Sequence, residues 1–230
     1  MPGRSGFDDD ERDRHDELTR HLLRRLGFEG TRDFPVTDEI RLTIAGNAAL
    51  IGLGIGPDAF QLARAVIVHP RTIVSTEARP GPAGTVERDA ARLAGEAHQN
   101  HGPILLNWSD VRYETRHPRT GRNVVVHEFA HKLDMLGGVS DGTPPIEDAA
   151  LLERWVEVCT REYRRVRRSE HEGLIRDYAG TNPTEFFAVV SEVFFTRPVE
   201  LRDEHPDLYE LYRAVYRQDP ASRISRAGAG

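Results

Sequence analysis

No stretch of the chain restricts its folding more than Val124-Val125-Val126-His127-Glu128-Phe129-Ala130-His131-Lys132-Leu133-Asp134. It reads as an apolar helix, capped by Asn123, running to about Leu136 and ended by Gly137-Gly138. At 3.6 residues per turn, His127 and His131 leave one face a single turn apart. Burying two imidazoles and a carboxylate among valines is costly unless they have partners. One metal ion satisfies both rings, because each imidazole can reach a Zn²⁺ at roughly 2.0–2.1 Å. Glu128 lies about 100° further round the helix, beside the metal and not on it. There it can take a proton from a metal-activated water, as the Glu of an H-E-x-x-H helix does in metalloproteases.

Two histidines leave a catalytic zinc short of one protein ligand. The downstream helix offers Glu185 and Glu192, which share a face because seven residues make about two turns. Each has a plainer use. Glu185 stands three residues after Asn182 and can complete a capping box. Glu192 can be a surface carboxylate or can support a ligand from behind. Spacing leaves both open and leans slightly to Glu185, since the first turn lies nearest the loop that can enter the cleft.

The rest of the chain narrows the setting. Its 230 residues are enough for one sizeable core. A net charge of −6 argues against a general nucleic-acid surface. The arginines 164, 165, 167 and 168 sit among Glu153, Glu157, Glu162 and Glu170, as on a solvated helix face. The single cysteine, Cys159, excludes an intramolecular disulfide and a cysteine-rich zinc site, and among Trp155, Val158 and Tyr163 it reads as a structural thiol. The acidic start, Asp8 to Asp13, is unlike a signal peptide, and Leu42–Ile55 is shorter than the roughly 20 residues of a membrane span. A cytoplasmic protein without membrane segments is the expectation.

Along the chain, helical spacing covers about 13–26, with Leu18, Leu22, Leu23 and Leu26 on one stripe. A second helix is capped by Thr37 and runs towards Leu53. Short strands follow at Ala65–His69, Thr72–Val74 and Ile104–Trp108, with a loop at Gly81–Gly84 and a turn at His117–Gly121. Helices are then expected over Ile146–Arg168, over Pro183–Thr196 behind the Asn182 cap, and over Leu208–Arg217. Residues 1–12 and 221–230 read as disordered tails around a single domain spanning 13–220. Short strands first and packed helices later specify an α+β fold.

Two blocks carry a family resemblance: His127 to Asp134, and Tyr178-Ala179-Gly180-Thr181-Asn182-Pro183-Thr184-Glu185-Phe186-Phe187-Ala188-Val189-Val190-Ser191-Glu192. Together they resemble the MtfA family of bacterial zinc peptidases and, more distantly, the catalytic domain of anthrax lethal factor. The resemblance implies a zincin-like metallopeptidase domain with one Zn²⁺ per chain held by His127, His131 and Glu185. It also implies that Tyr178 sits beside the metal and donates to the oxyanion, with Glu128 as general base. A phenol, neutral at working pH, suits that part. The implied partners are a peptide substrate, cleaved in an aminopeptidase-like manner, and a transcriptional repressor of sugar uptake. The alternative is a regulatory binding module in which zinc is mainly structural.

Three further signals are set aside. His98 and His101 lack a third ligand nearby. Gly52, Gly54 and Gly56 follow a helical pattern and end in Pro57, which does not suit a nucleotide-binding turn. Asp134, three residues after His131, can orient either a ligand or neighbouring backbone.

Overall fold

The computed structural model describes residues 4, 6–70, 102–168 and 173–228. The expected strand Thr72–Val74, the loop Gly81–Gly84 and the pair His98/His101 lie outside the described residues. Helix α1 (Asp9–Arg25) leads into strand β1 (Gly27–Gly30), and helix α2 (Asp38–Ile55) leads to β2 (Ala65–His69). Strand β3 (Ile104–Asn107) runs directly into helix α3 (Trp108–Arg116), which precedes the histidine helix α4 (Val124–Asp134). The helices α5 (Ala149–Arg168), α6 (Pro183–Thr196), α7 (Pro198–Glu204), α8 (Pro206–Tyr216) and α9 (Pro220–Gly228) complete the described order. The result is a mixed fold, largely helical, with a three-stranded sheet ordered β1-β2-β3 and parallel at both junctions.

Several elements correct the reading from sequence. Helix α1 starts at Asp9, inside the expected tail, because Asp8 and Glu11 form a reciprocal capping box and Phe7 is buried in the core. The expected C-terminal tail is largely helix α9: Ala221 is buried, and Arg223 bonds to Glu11 at 2.9 Å and to Gln218 at 3.2 Å. Strand β1 has only four residues, two of them glycine, so no alternation marks it. Its backbone pairs with β2 from Gly27↔Ala65 to Gly30↔Val68. Trp108, expected in the strand, begins α3 instead, and α7 was not foreseen either.

Helix α2 is buried on nearly all sides from Ile44 to Leu53, and it forms the middle of the molecule. A helix that is apolar all round belongs in a core. Its glycines serve packing: a Cβ on Gly52 would come within 2.6 Å of the Phe60 ring, and Gly56 ends the helix at φ +85°. Behind α6 lies an aromatic cluster in which Phe187 meets Trp155 and Tyr212, each at 5.8 Å between ring centres. Cys159 is half-buried against this core, and burial pushes its thiol pKa up, as suits a structural role.

The start of α4 is fixed by three side chains. Asn123 Oδ1 accepts from Val126 N, Glu114 Oε2 accepts from Val124 N at 2.7 Å, and Glu192 Oε2 accepts from Asn123 N at 2.7 Å. These satisfy N–H groups that a helix terminus otherwise leaves orphaned. Burial is the main cause that raises the Glu114 carboxyl from 4.5 to about 7, aided by the nearby Glu192 and Asp110 and opposed by the Val124 bond.

Two predictions follow from the packing and the buried carboxyl. Phe187→Ala should lower stability by about 3–5 kcal/mol in denaturant unfolding, through the cavity left among fully buried rings. A carboxyl whose folded pKa is raised contributes most below its unfolded value, and that contribution is lost as pH rises through the folded value. Wild-type stability should therefore fall between about pH 4.5 and 7 by on the order of 2–3 kcal/mol relative to Glu114→Gln. Parallel urea titrations of the two proteins across that range measure the difference.

Candidate metal centre

Helix α4 places His127 and His131 one turn apart on the face that packs against α6. Their Nε2 atoms stand 3.1 Å from each other. Glu185 enters from the first turn of α6, where Asn182 Oδ1 accepts from the Glu185 backbone N–H at 2.8 Å and Pro183 sets the first helical position. Its Oε2 lies 3.1 Å from His127 Nε2 and 3.6 Å from His131 Nε2. One ligand atom from each of the three residues falls within 4.8 Å of the others, and all three residues are buried.

Glu192, the other carboxylate that spacing allowed, is two turns further along α6 and faces the opposite side of the His127 ring. Its Oε1 accepts from His127 Nδ1 at 2.7 Å and from the Arg176 guanidinium, while its Oε2 holds the Asn123 backbone. It therefore orients the histidine and is not among the converging atoms. Arg176 was absent from the reading by sequence. Its one signal was its place two residues before Tyr178.

The donor set fits a cation. With Nδ1 donating to Glu192, the His127 ring turns its Nε2 lone pair towards His131 and Glu185. Glu185 Oε2 is buried and has no hydrogen-bond partner among the described residues. Acceptor atoms meeting in a buried site need a proton or a metal ion between them. Burial opposes charge on His127, yet in the cluster of side chains alone the close Glu185 and Glu192 carboxylates outweigh it and lift its pKa to about 10. Burial likewise opposes charge on Glu185, but the facing histidines win and hold its carboxyl well below the usual range. A site that so favours positive charge is one where a divalent ion can displace the proton.

Tyr178 stands in a 3₁₀ turn, Asp177–Gly180, with its ring centre 6.2 Å from that of His127 and the Arg176 guanidinium 5.8 Å from the ring. It is 38% exposed, so one side of it faces solvent. Glu128 is half-buried beside the first histidine and acts electrostatically on both His127 and Lys132. Strand β3 pairs only with β2 among the described residues, and Leu105 points outward at 53% exposure.

The family model for glucose-regulated metallo-peptidase M90 matches residues 1–217. Proteins named Mlc titration factor A from Edwardsiella ictaluri and Serratia proteamaculans are 31% and 30% identical to the chain. Those alignments cover 99% and 100% of this chain and 88% of each relative. An uncharacterised protein of Synechocystis sp. is 33% identical over 86% of this chain and 74% of its own length. A buried triad able to hold a metal and a match over nearly the whole length thus agree, and the chain belongs to the glucose-regulated metallo-peptidase M90 family.

Proposed function

We propose that the chain is a zincin-like metallopeptidase in which His127, His131 and Glu185 hold one Zn²⁺ and Glu128 is the general base. The observation that carries this reading is the convergence of three buried ligand atoms within 4.8 Å. Two imidazoles and a carboxylate are a donor set suited to zinc, and three protein ligands leave the fourth position open, as catalytic sites do. When bound, the ion supplies Lewis acidity, lowering the pKa of a water towards about 7 and polarising a carbonyl.

The chain's own residues then divide the proton work. Glu128 takes the proton of the attacking water and returns it to the departing amine. Tyr178, beside His127 and partly exposed, donates its O–H to the carbonyl oxygen as negative charge builds there. Glu192 and Arg176 keep His127 turned towards the metal position. The outer edge of β3 supports an extended peptide lying alongside it as a further strand. The finer reading is aminopeptidase-like cleavage by a cytoplasmic enzyme. No described helix is long and apolar enough to cross a membrane.

A second reading rests on the name of the relatives, Mlc titration factor A: a regulatory module that sequesters a transcriptional repressor, with zinc mainly structural. A structural site needs neither Glu128 nor Tyr178, so their placement beside the histidines favours the enzyme.

Glu128→Gln should lower kcat by roughly 100- to 10,000-fold, as expected for loss of a general base, with zinc content unchanged by metal analysis. Cleavage at the wild-type rate by this variant would remove the proposed mechanism, whereas a zinc-loaded wild-type chain that cleaves no peptide would favour the regulatory module. Glu185→Gln should instead lose zinc during dialysis that the wild-type chain survives with metal retained. On matched peptides with free and acetylated N-termini, an aminopeptidase cleaves only the free-ended set. Equal cleavage of both refutes the aminopeptidase reading and leaves the metallopeptidase one standing.

A further inference from the structure

Asp134 closes the last turn of α4, three residues after His131, and is fully buried. Its Oδ2 accepts two hydrogen bonds, from Ser140 Oγ and from the Gly142 backbone N–H, each at 3.0 Å. Its Oδ1 is buried and has no hydrogen-bond partner among the described residues. The same holds for His131 Nδ1. The two groups are one helical turn apart and act on each other electrostatically. They are also complementary. A histidine that gives its Nε2 lone pair to a metal carries its proton on Nδ1, and that N–H is nearly always donated to a carboxylate, a carbonyl or a water. Glu192 meets this need for His127. No direct hydrogen bond joins Asp134 Oδ1 to His131 Nδ1, so the acceptor one turn away can meet that need for His131 across a bridging water.

The loop held by the other oxygen leads to the third ligand. Ser140 O accepts from Thr184 Oγ1 at 3.2 Å. Gly142 adopts φ +81°, and a Cβ there would lie 2.4 Å from Pro183 O, so loop and helix start approach as closely as a bare glycine permits. Gly142 O also accepts from Trp155 Nε1 at 3.2 Å, which braces the loop from α5. Pro183 and Thr184 are the first two residues of α6, and Glu185 is the third. The path is continuous: the end of the histidine helix grips the loop, and the loop grips the turn that carries the carboxylate ligand.

We propose that Asp134 is a positioning residue for the metal centre, one oxygen orienting His131 and the other clamping the loop that places Glu185. This rests on reading the cluster as a metal site. It adds a function for a buried carboxylate that neither ligates nor transfers a proton. Its bonds draw the two ligand-bearing helices together from the end opposite to Glu192.

The test compares wild type with Asp134→Ala, Asp134→Asn and Thr184→Val. Zinc affinity is read by chelator competition, the ligand field by the absorption of the Co²⁺-loaded protein, and the fold by the melting temperature of the apoprotein. Asp134→Ala should bind zinc about 10- to 100-fold more weakly and shift the cobalt bands. Asp134→Asn keeps one carbonyl oxygen in the same volume and should recover part of that loss. Thr184→Val touches neither histidine and cuts only the last link, so it should weaken binding by about fivefold, the value of one hydrogen bond. Should Asp134→Ala fail to fold, Asp134→Asn and Thr184→Val carry the test unaided. Wild-type zinc affinity and an unshifted cobalt spectrum in the folded variants, even with a lower melting temperature, overturn the proposal and leave Asp134 a loop anchor. A wild-type chain that binds neither ion takes down the metal-centre reading itself and this proposal with it, a result distinct from tight binding in every variant.

Discussion

One buried carboxylate holds the site together. Glu192 is almost completely removed from solvent, yet it serves the His127 ring, the Arg176 guanidinium and the backbone that opens α4. A charge so placed is tolerable only when its partners surround it, and removing one partner of such a pair typically costs about 3–5 kcal/mol. The same carboxylate thus fixes the tautomer and aim of a histidine and the axial position of the helix that bears it. Helices α4 and α6 cannot slide past each other without breaking one of these bonds.

The remainder of the molecule makes that arrangement rigid. Helix α2, buried nearly all round, backs α4, and Asn47 in α2 bonds to Asn123 at its start. The aromatic rings behind α6 pack at 5–6.4 Å between centres and leave the face bearing Glu185 and Glu192 turned towards α4. The small parallel sheet flanks this helical body and presents β3 close to α4, which also joins it through Lys132 Nζ donating to Gly102 O at 3.0 Å. Close packing of this kind lets the candidate ligands on two helices keep their geometry.

Much of this was legible in the chain because local chemistry writes it there. The caps Thr37, Asn123 and Asn182 each open a helix where their side chains accept a backbone N–H, and Pro183 stands at the first helical position as its fixed φ favours. The i, i+4 histidines needed only helix geometry to meet. Other elements had no local signature. Strand β1 is four residues that are extended because β2 lies beside them, and α3 begins at a Trp108 that the apolar run before it had suggested as strand. The segments near the chain ends resembled tails because one is acidic and the other rich in glycine and alanine, yet Phe7 and Ala221 find core positions against distant segments.

The choice between Glu185 and Glu192 separates what the sequence determined from what it could not. Sequence alone established that both carboxylates share one face of α6 and that two histidines share one face of α4, since 3.6 residues per turn is a property of any helix. Spacing leaned only slightly to Glu185, because residues two turns apart are locally near-equivalent, and the firmer preference came from the family resemblance alone. The two carboxylates lie about 10 Å apart along the axis, and only the way α6 passes α4 decides which end of the imidazole each one meets. The tertiary structure puts Glu185 at His127 Nε2 and Glu192 at Nδ1, which makes one a candidate ligand and the other its support.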